Sequence, residues 1–425
     1  MKMESFWQDN RPVFTGGCQQ ALPERAEVVV IGGGFSGISA ARNLARQGID
    51  VVLLESEEVM SQASSRNGGH CNNGVAQNFA GLVASKGVER ATRIYRAFDT
   101  AVDYVSSVIS EEQIDCDFRR SGKLKLASKP GHFAALQSSA EWMRKTVDPE
   151  VELLSARDIR REVDSDQFHG GLLQKRSAQM HMGKFGIGLA GSAARSGAKI
   201  FEYHPVTDIR KIAGYQHRIT TSRGDILADK VLLATGCSNQ GPFPWLQRRI
   251  VPVGSFIITT APLEAEHLQR LLPGDRTYVT STNIHNYFRT TRDHRLVFGG
   301  RARFSVSNPT SDARSGEILR ASLKKLFPSL ADVPIDYCWG GMVDMSADRL
   351  PHAGEENGLF YTLGYSGHGA QMSVWMGKVM ADLLAEKADF NPWQSASWPA
   401  LPGYFGKPWF LPMTGLYYKT KDLLF

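Results

Sequence analysis

The stretch that decides the fold is "EVVVIGGGFSGISAARNLARQGIDVVLLESE", which occupies residues 27–57. Residues 28–31 are apolar and β-branched, which predicts a strand buried on both faces. A helical pattern follows and ends near Gly48, and a second apolar run at 51–54 carries Glu55 at its end. Strand, glycine-rich turn, helix, strand and acid stand in the order of a dinucleotide-binding βαβ unit.

The glycines of the turn have distinct physical roles in such a unit. Gly32 permits a tight turn, Gly34 lets the backbone approach a pyrophosphate, and Gly37 lets the helix pack closely on the strand. The amino end of the helix offers free N–H groups to phosphate oxygens. Glu55 would accept hydrogen bonds from both ribose hydroxyls and would repel a 2′-phosphate, which disfavours NADP. The predicted cofactor contacts here are Gly32, Gly34, Phe35, Ser36, Gly37 and Glu55.

The composition excludes several classes of protein. With 425 residues, 42% of them hydrophobic, the chain can bury a large core and form two or three domains. Its net charge of +6 is spread along the chain without a Lys/Arg block, so we expect no nucleic-acid partner. Five scattered cysteines without a C-x-x-C pair argue against disulfides and against a metal site. Without a signal peptide or an 18-residue apolar run, the sequence predicts a soluble cytoplasmic protein.

Later segments indicate which dinucleotide is bound. The loop at 61–74, "SQASSRNGGHCNNG", is rich in small and polar residues that suit a large cofactor. A strand at 229–239 contains "ATG", and a strand, a glycine-rich turn and a helix occupy 358–384. The amino end of that helix, near 367–371, would point its positive dipole end at an electron-rich group such as the N1/C2=O edge of a flavin. Two helix ends so far apart in sequence favour an extended FAD over NAD.

A set of motifs carries a resemblance to a known family. They are the opening stretch, "ASSRNGG" at 63–69, "ATG" at 234–236, "YFRTTRDHRLVFGGR" at 287–301, "WGGMVDMSADRLP" at 339–351 and "GYSGHG" at 364–369. In this order they resemble the D-amino-acid oxidase/sarcosine oxidase superfamily of FAD-dependent amine oxidoreductases. Within it they are most similar to the gamma-glutamylputrescine oxidoreductase branch. The similarity extends over roughly residues 25–385.

The resemblance implies an α/β fold with two discontinuous domains. One is a Rossmann-like, doubly wound FAD domain of the glutathione-reductase type, and the other is a substrate domain built on a large mixed or antiparallel β-sheet. The FAD domain would comprise 1–100, 165–240 and 335–385. The substrate domain would comprise 101–164 and 241–334.

The resemblance also implies further contacts with FAD. They are Ser64, Ser65, Arg66, Asn67, Gly68, Gly69, Val206, Thr235, Gly236, Gly340, Gly364, Gly367, His368, Gly369 and Gln371. Val206 would lie near the adenine ring, and a plain core position is the alternative. Some members of the superfamily bind FAD covalently through a cysteine near the position of Cys338. In this chain, however, the spacing from Cys338 to the following motif differs from theirs. We therefore expect non-covalent FAD and a buried free thiol at Cys338.

The implied reaction oxidises an amine to an imine by transfer of a hydride to flavin N5. The nitrogen must be uncharged, and only about one alkylammonium in a thousand has lost its proton near neutral pH, which costs about 4 kcal/mol. A dry, aromatic pocket would supply part of that free energy by lowering the pKa of the amine. The candidate pocket walls are Tyr287, Phe288, Trp339, Tyr365 and Trp375.

The candidate catalytic residues are Arg66, His70, Tyr287, Arg289 and His368. Arg66 and His70 flank the turn at 67–69, where a cation would stabilise reduced flavin or orient substrate. Contact of Arg66 with a phosphate or a carbonyl is the alternative, and His368 either faces the flavin or bonds within its own loop. Tyr287 and Arg289 face the same side of a strand. Arg289 either binds a substrate carboxylate in a bidentate way or is exposed.

One departure from the family pattern restricts the range of possible substrates. In sarcosine-type relatives that bind a carboxylate, a lysine follows "GHG" by two positions, where this chain has Gln371. We therefore expect a small-molecule amine whose carboxylate lies away from the flavin, such as a gamma-glutamyl amine. An N-alkyl, cyclic or D-amino acid is the alternative substrate. Two different functions are also alternatives: an NAD(P)H-dependent flavin reductase, which would need a second glycine-rich nucleotide motif, and a non-catalytic flavoprotein.

Residues 386–425 form a tail of different composition. Prolines break its first part, and from Met413 apolar residues recur beside Lys419 and Lys421, which predicts an amphipathic helix. The helix either docks on the protein itself or contacts a membrane surface, which would place the protein at the periphery of the inner membrane. The electron acceptor would be oxygen or a membrane carrier, and the sequence does not distinguish them.

Overall fold

A computed structural model describes residues 1–238, 240–301, 303–388, 391–393 and 398–424. Parts of the predicted strand at 229–239, of the substrate domain and of the tail lie outside these residues. The helices are α1 Phe6–Asp9, α2 Phe35–Arg46, α3 Phe79–Lys86, α4 Val88–Glu111, α5 Pro130–Thr146, α6 Met182–Arg195, α7 Pro244–Gln247, α8 Ala265–Leu271, α9 Pro309–Leu326, α10 Gly369–Leu384 and α11 Leu411–Leu424. The strands are β1 Arg25–Ile31, β2 Val51–Leu54, β3 His70–Cys71, β4 Lys123–Leu126, β5 Glu152–Ser155, β6 Gly170–Gln174, β7 Ala178–Gln179, β8 Lys199–Phe201, β9 Val206–Ala213, β10 Gln216–Thr221, β11 Gly224–Leu233, β12 Val251–Thr260, β13 Thr277–Thr280, β14 Asn286–Thr290, β15 Leu296–Gly300, β16 Ile335–Met345, β17 His352–Glu356 and β18 Leu359–Leu363.

The opening stretch forms the centre of the first sheet. Its strand order is β17-β18-β11-β1-β2-β8, and the hairpin of β9 and β10 joins it through β11. β1 pairs in parallel with β2 and β11, and β11 pairs in parallel with β18. Val28 and Val30 lie in one hydrophobic cluster, and Val29 and Ile31 lie in another. Both faces of the predicted strand are therefore buried, as is usual in a parallel sheet.

The second sheet has the order β16-β12-β15-β14-β13-β4-β6-β5. β13 and β4 are parallel, whereas the pairs from β16 to β13 and from β4 to β5 are antiparallel. This is the large mixed sheet that the sequence predicts. β6 and β16 belong to this sheet, although the predicted FAD domain includes both, because β6 pairs with β4 and β5 and β16 pairs along most of its length with β12. The domain boundaries themselves stay a prediction.

Helices α2 and α10 pack with their backbones in close contact. Ser39 Oγ donates a hydrogen bond to Val374 O at 2.6 Å. A Cβ built on Gly377 would overlap Ser36 O and lie 2.8 Å from Ser39 Cβ. We expect Gly377→Ala to lower the free energy of unfolding by about 1–3 kcal/mol, because the two helices must move apart. Urea denaturation measures this change.

The control is Gly191→Ala in α6, where the nearest group to an added Cβ is the flexible end of a side chain, at 3.2 Å. This variant should be neutral or slightly stabilising, since alanine is the better helix former. Equal losses in both variants would contradict the packing argument.

Candidate active site

A cavity of about 1480 Å³ is lined by residues from both sheets. The first sheet contributes the turn after β1, Glu55 at the end of β2, and Val206 at the start of β9. The second sheet contributes Tyr287 of β14, and the start of α10 contributes His368. The cavity therefore joins the predicted nucleotide-binding turn to the predicted substrate domain.

The turn after β1 has the geometry that its glycines predict. Gly32 has φ +113°, and a Cβ there would lie 2.5 Å from Ala234 O. Gly33 N donates a hydrogen bond to Glu55 Oε2 at 2.6 Å, which holds the carboxylate beside the turn. Phe35 N at the start of α2 donates to Ser64 Oγ at 3.0 Å. Backbone N–H groups, an acid and a hydroxyl are thus gathered at one place, as a ribose and a pyrophosphate require.

The inner part of the cavity holds polar groups of low exposure. Tyr287 Oη lies 2.9 Å from Ser255 Oγ, and the His70 ring meets the Tyr287 ring edge-on at 5.4 Å. Gln371 Nε2 donates to the backbone oxygen of Asn72 at 2.5 Å. Among the described residues, His70 Nε2, His368 Nδ1 and Gln371 Oε1 have no hydrogen-bond partner although they are buried.

These two regions fit the predicted FAD. A buried polar atom without a partner costs about 1–3 kcal/mol, so three such atoms in one cavity wall indicate a polar ligand. α10 begins at Gly369, within the range predicted from the sequence, and His368 is its N-cap. The amino end of α10 offers further N–H groups to that ligand. The turn after β1, Glu55, Val206 and Thr235 would hold the dinucleotide part, and His70, His368 and Gln371 would contact the ring system.

Most of the predicted site residues line the cavity. They are Gly32, Gly34, Phe35, Ser36, Glu55, Ser64, Arg66, Asn67, Gly68, His70, Val206, Thr235, Gly236, Tyr287, Gly367, His368, Gly369 and Gln371. The predicted residues that lie behind the lining are Gly37, Ser65, Gly69, Arg289, Gly340 and Gly364. Of these, Gly340 N and Gly364 N donate hydrogen bonds to Asp312 and Asp344, and Ser65 Oγ donates to Met60 O. The N–H groups of Gly340 and Gly364 and the hydroxyl of Ser65 therefore form hydrogen bonds that stabilise the cavity wall.

For Arg289 the structure corrects the sequence-based prediction. The residue is only 2% exposed, and its guanidinium donates to the backbone oxygens of Gly68 and Met180 at 3.1 and 2.8 Å. It also donates to Gln179 Oε1 at 2.9 Å and lies 4.9 Å from the Trp7 ring. Neither a surface position nor a free, bidentate carboxylate site is possible in this environment. Arg289 instead stabilises the turn that carries Gly68.

Arg66 and Cys338 agree with alternatives stated from the sequence, whereas the aromatic residues agree only in part. Arg66 donates to the backbone oxygens of Ser61 and Gly340 at 3.2 and 3.1 Å, so it binds carbonyl groups. Of the expected aromatic walls, Tyr287 and Tyr365 line the cavity, whereas Phe288, Trp339 and Trp375 belong to the core behind it. Cys338 also lies away from the cavity lining, and burial raises the pKa of its thiol to about 12. Its position supports the expectation of a buried free thiol.

Sequence reasoning missed five cations in the cavity wall: Lys123 and Lys125 on β4, Arg301 directly after β15, Arg349 after β16, and Lys407 before α11. Their hydrogen-bond partners include a backbone oxygen, a methionine sulfur and a tyrosine hydroxyl. Within the described part of the chain, none of them lies within ion-pair distance of an acid. Arg301 ends the quoted motif "LVFGGR", so a cation directly after a buried strand was the available signal.

Burial and these cations keep the cavity histidines neutral. Burial lowers the pKa of His285 to about 3, and the charge of Arg301 acts in the same direction. Burial also lowers the pKa of His368 to about 3, with Lys123 as the next cause, and that of His70 well below its usual range. The pKa of Arg301, lowered by burial to about 10, still leaves it charged at neutral pH. The cavity can therefore bind an anion beside uncharged imidazoles.

The buried amine of Lys123 should make stability depend on pH. Burial, followed by the charge of Lys125, lowers the pKa of Lys123 from 10.5 to about 7. Between these values the unfolded chain binds the additional proton, so stability rises with pH across this window. We expect Lys123→Met to remove a rise of about 2 kcal/mol between pH 7 and pH 9, measured by urea denaturation. Exposed Lys86 supplies the control: Lys86→Met should leave the slope unchanged, and an unchanged slope in Lys123→Met would contradict the prediction.

Comparison with known proteins agrees with this architecture. The chain matches the family described as "DAO: FAD dependent oxidoreductase" over residues 27–383. It is 31% identical over 405 residues to gamma-glutamylputrescine oxidoreductase of Escherichia coli (strain K12), covering 94% of this chain and 93% of that protein. Glycine oxidase from Geobacillus kaustophilus superposes with a TM-score of 0.73 at 21% identity, covering 87% of this chain and 97% of the other. L-proline dehydrogenase from P. horikoshii superposes with a TM-score of 0.69 at 21% identity, covering 88% and 98%.

These likenesses confirm the resemblance stated from the motifs, the α/β fold with large sheets, and FAD as the cofactor. They also confirm that the protein is an oxidoreductase that acts on an amine or amino acid. The chain therefore belongs to the DAO family of FAD-dependent oxidoreductases.

Proposed function

We propose that the protein oxidises the C–N bond of a gamma-glutamyl amine such as gamma-glutamylputrescine. The observation that carries this proposal is Arg301, a half-buried cation in the cavity wall that has no acidic partner among the described residues. It directly follows β15 of the second sheet, which also carries Tyr287, and it does not belong to the turn where a pyrophosphate would bind. Such a charge is stabilised by an anionic substrate group, and the glutamyl end supplies a carboxylate. The similarity to gamma-glutamylputrescine oxidoreductase supports the same choice.

In the proposed mechanism the protein binds the substrate and adjusts its protonation. The chemistry that FAD supplies when bound is acceptance of a hydride from the carbon beside the substrate nitrogen. Arg301 would hold the carboxylate, with Arg349 beside the same cavity. The positive charges of the wall would lower the pKa of the substrate amine, since a cation disfavours a second cation nearby. This would offset part of the cost of about 4 kcal/mol for an uncharged amine.

The remaining candidate residues would position the uncharged amine. Neutral His70 and His368 each have one buried nitrogen without a hydrogen-bond partner among the described residues, which either the flavin ring or the amine would occupy. Burial raises the pKa of Tyr287 to about 12, so its hydroxyl stays protonated and can donate or accept. Gln371 brings no charge, which suits a carboxylate bound elsewhere in the cavity. These roles are part of the proposal.

An anaerobic substrate panel tests the proposal through loss of the flavin band at about 450 nm. Gamma-glutamyl amines should reduce the flavin with the highest kcat/KM, and putrescine itself, which lacks the carboxylate, should be at least about 30-fold poorer. If an N-alkyl, cyclic or D-amino acid reduced the flavin faster, that compound and not a gamma-glutamyl amine would be the substrate. Reduction of the flavin by NADH would indicate a flavin reductase. If no compound reduced the flavin, the protein would be a non-catalytic flavoprotein. Reoxidation in air or only with an added carrier would then separate oxygen from a membrane acceptor.

A further inference from the structure

Helix α11 is attached to the protein by one face only. Asp422 accepts hydrogen bonds from Asn283 N and Nδ2 at 2.8 and 2.7 Å, and from Ile284 N at 2.7 Å. One turn earlier, Tyr418 accepts a hydrogen bond from Arg349 Nη2 at 2.9 Å. Asn283, Arg349 and Tyr418 all line the cavity. The inward face of α11 is therefore held by these polar contacts, by buried Leu411 and by the Tyr418 ring, which stacks on the Phe304 ring at 5.5 Å.

The outward face of α11 is also apolar, although the exposed face of a surface helix is normally polar. Leu416, Leu423 and Leu424 are 67%, 75% and 71% exposed. The exposed apolar side chains of the helix and of the segment before it are Phe405, Trp409, Met413, Leu416, Tyr417, Leu423 and Leu424. We call this set the tail face. Exposed apolar side chains grouped on one face of a helix in this way mark an interaction site.

Charges at the edges of the tail face indicate what covers it. At 100° per residue, the apolar side chains of α11 centre on the side opposite Asp422, and Lys419 and Lys421 fall on either edge. Lys407 and Arg248 are exposed near the preceding aromatic residues, and Arg248 lies 5.1 Å from the Phe405 ring. The acid of the helix, Asp422, points inward and is used there. The edges of the tail face are therefore positively charged. Its partner should present an apolar surface with negatively charged groups around it.

We propose that the tail face docks the protein on the surface of a bilayer that contains anionic lipid. The helix has 14 residues, too few for the about 20 needed to span a membrane, and no helix among the described residues is long and apolar enough to cross one. It would lie in the interface plane, with leucines toward the acyl chains and lysines at the headgroups. Trp409 and Tyr417 are the residue types found at that level.

A second copy of the chain fits the tail face less well. A two-fold contact would bring the same surface of each copy together, so that lysines would face a surface without acids to receive them. A lipid surface has no such cost. The proposal does not depend on the identity of the substrate, and it places one wall of the cavity on the element that meets the membrane.

Vesicle flotation of the full-length FAD-loaded protein tests the proposal. Vesicles of phosphatidylcholine with phosphatidylglycerol should bind the protein, more weakly at high salt, and phosphatidylcholine alone should bind it less. The variant Leu416→Ser/Leu423→Ser/Leu424→Ser should bind at least tenfold more weakly with unchanged flavin content. Ile212→Ser, which alters an exposed apolar residue on β9, is the matched control and should bind as the parent does.

Two results would overturn the proposal. One is equal vesicle binding by the parent and the triple variant, or no binding by either. The other is a dimer in light scattering, without vesicles, that the triple variant abolishes, because the tail face would then bind a second copy. Retained flavin and an unchanged urea midpoint establish that the triple variant is folded, so weak binding cannot come from unfolding.

Discussion

Replacing Arg301 with glutamine should lower kcat/KM for a gamma-glutamyl amine by a factor of about 30 to 1000. Removing one partner of a buried charge pair costs about 2–4 kcal/mol, and each 1.4 kcal/mol is a factor of ten. The guanidinium lies 3.6 Å from Met345 Sδ and 6.0 Å from the Phe304 ring and pairs with no acid among the described residues, so its removal leaves no such acid unpaired. The loss should appear mainly in KM, because the charge binds the substrate rather than the reacting carbon. Steady-state kinetics measures the split.

Three controls separate substrate binding from damage to the protein. Arg301→Lys keeps the charge and should recover part of the loss, although lysine lacks the bidentate geometry of arginine. Arg303→Gln changes a cation two residues further along that does not line the cavity, and should have little effect. For an amine without a carboxylate, the loss of kcat/KM in Arg301→Gln should be at least about tenfold smaller, because only the effect of the charge on the pKa of the amine remains. Equal losses for both amines would show that Arg301 does not bind the carboxylate.

Replacing Gly37 with valine should yield protein that retains little or no FAD. A Cβ on Gly37 would overlap the carbonyl oxygen of Gly32 and lie 3.1 Å from its carbonyl carbon and 3.2 Å from Val30 Cγ1. Both partners on the turn are backbone, so α2 must move away from β1. That displacement moves the N–H groups at the start of α2, which the pyrophosphate needs. We expect FAD affinity to fall at least 100-fold and the free energy of unfolding to fall by about 3 kcal/mol or more.

The flavin absorbance of purified protein, before and after incubation with added FAD, measures this effect. Gly81→Ala in α3 is the matched control, because an added Cβ there meets nothing within 4 Å and the backbone is helical. It should keep full flavin content. Full flavin content in Gly37→Val would show that the helix and the turn tolerate separation, and would contradict the role given to this glycine.

The sequence predicts local features of this fold well. β1, α2 and β2 lie where the apolar periodicity of 27–57 places them, and α10 begins within the predicted range. Each of these elements is specified by residues within about a dozen positions of one another, so pattern and turn chemistry are sufficient. The strands β6 and β16 lie in segments expected to belong to the FAD domain, yet both pair in the second sheet, because the sheet that a strand joins depends on distant partners.

Two of the four arginines of the "YFRTTRDHRLVFGGR" motif, Arg289 and Arg301, show the same limit within the site. Arg289 follows Tyr287 by two residues, and alternation along the strand predicts that the two share a face. The alternation does not predict which residues pack on that face. In the structure, Arg289 contacts the turn at Gly68, Met180 and Trp7. Arg301, which carried no prediction, lies in the open cavity wall.

By itself, then, the sequence determined the dinucleotide-binding unit, the α/β class and the membership of a flavin-dependent family, since all of these depend on spacing within short segments. Only the tertiary structure decided which cations face the cavity, which aromatic residues form its wall, and that α11 turns its apolar side outward. Those properties depend on contacts between segments separated by tens to hundreds of residues, and burial and charge pairing at such contacts are not encoded in any local pattern.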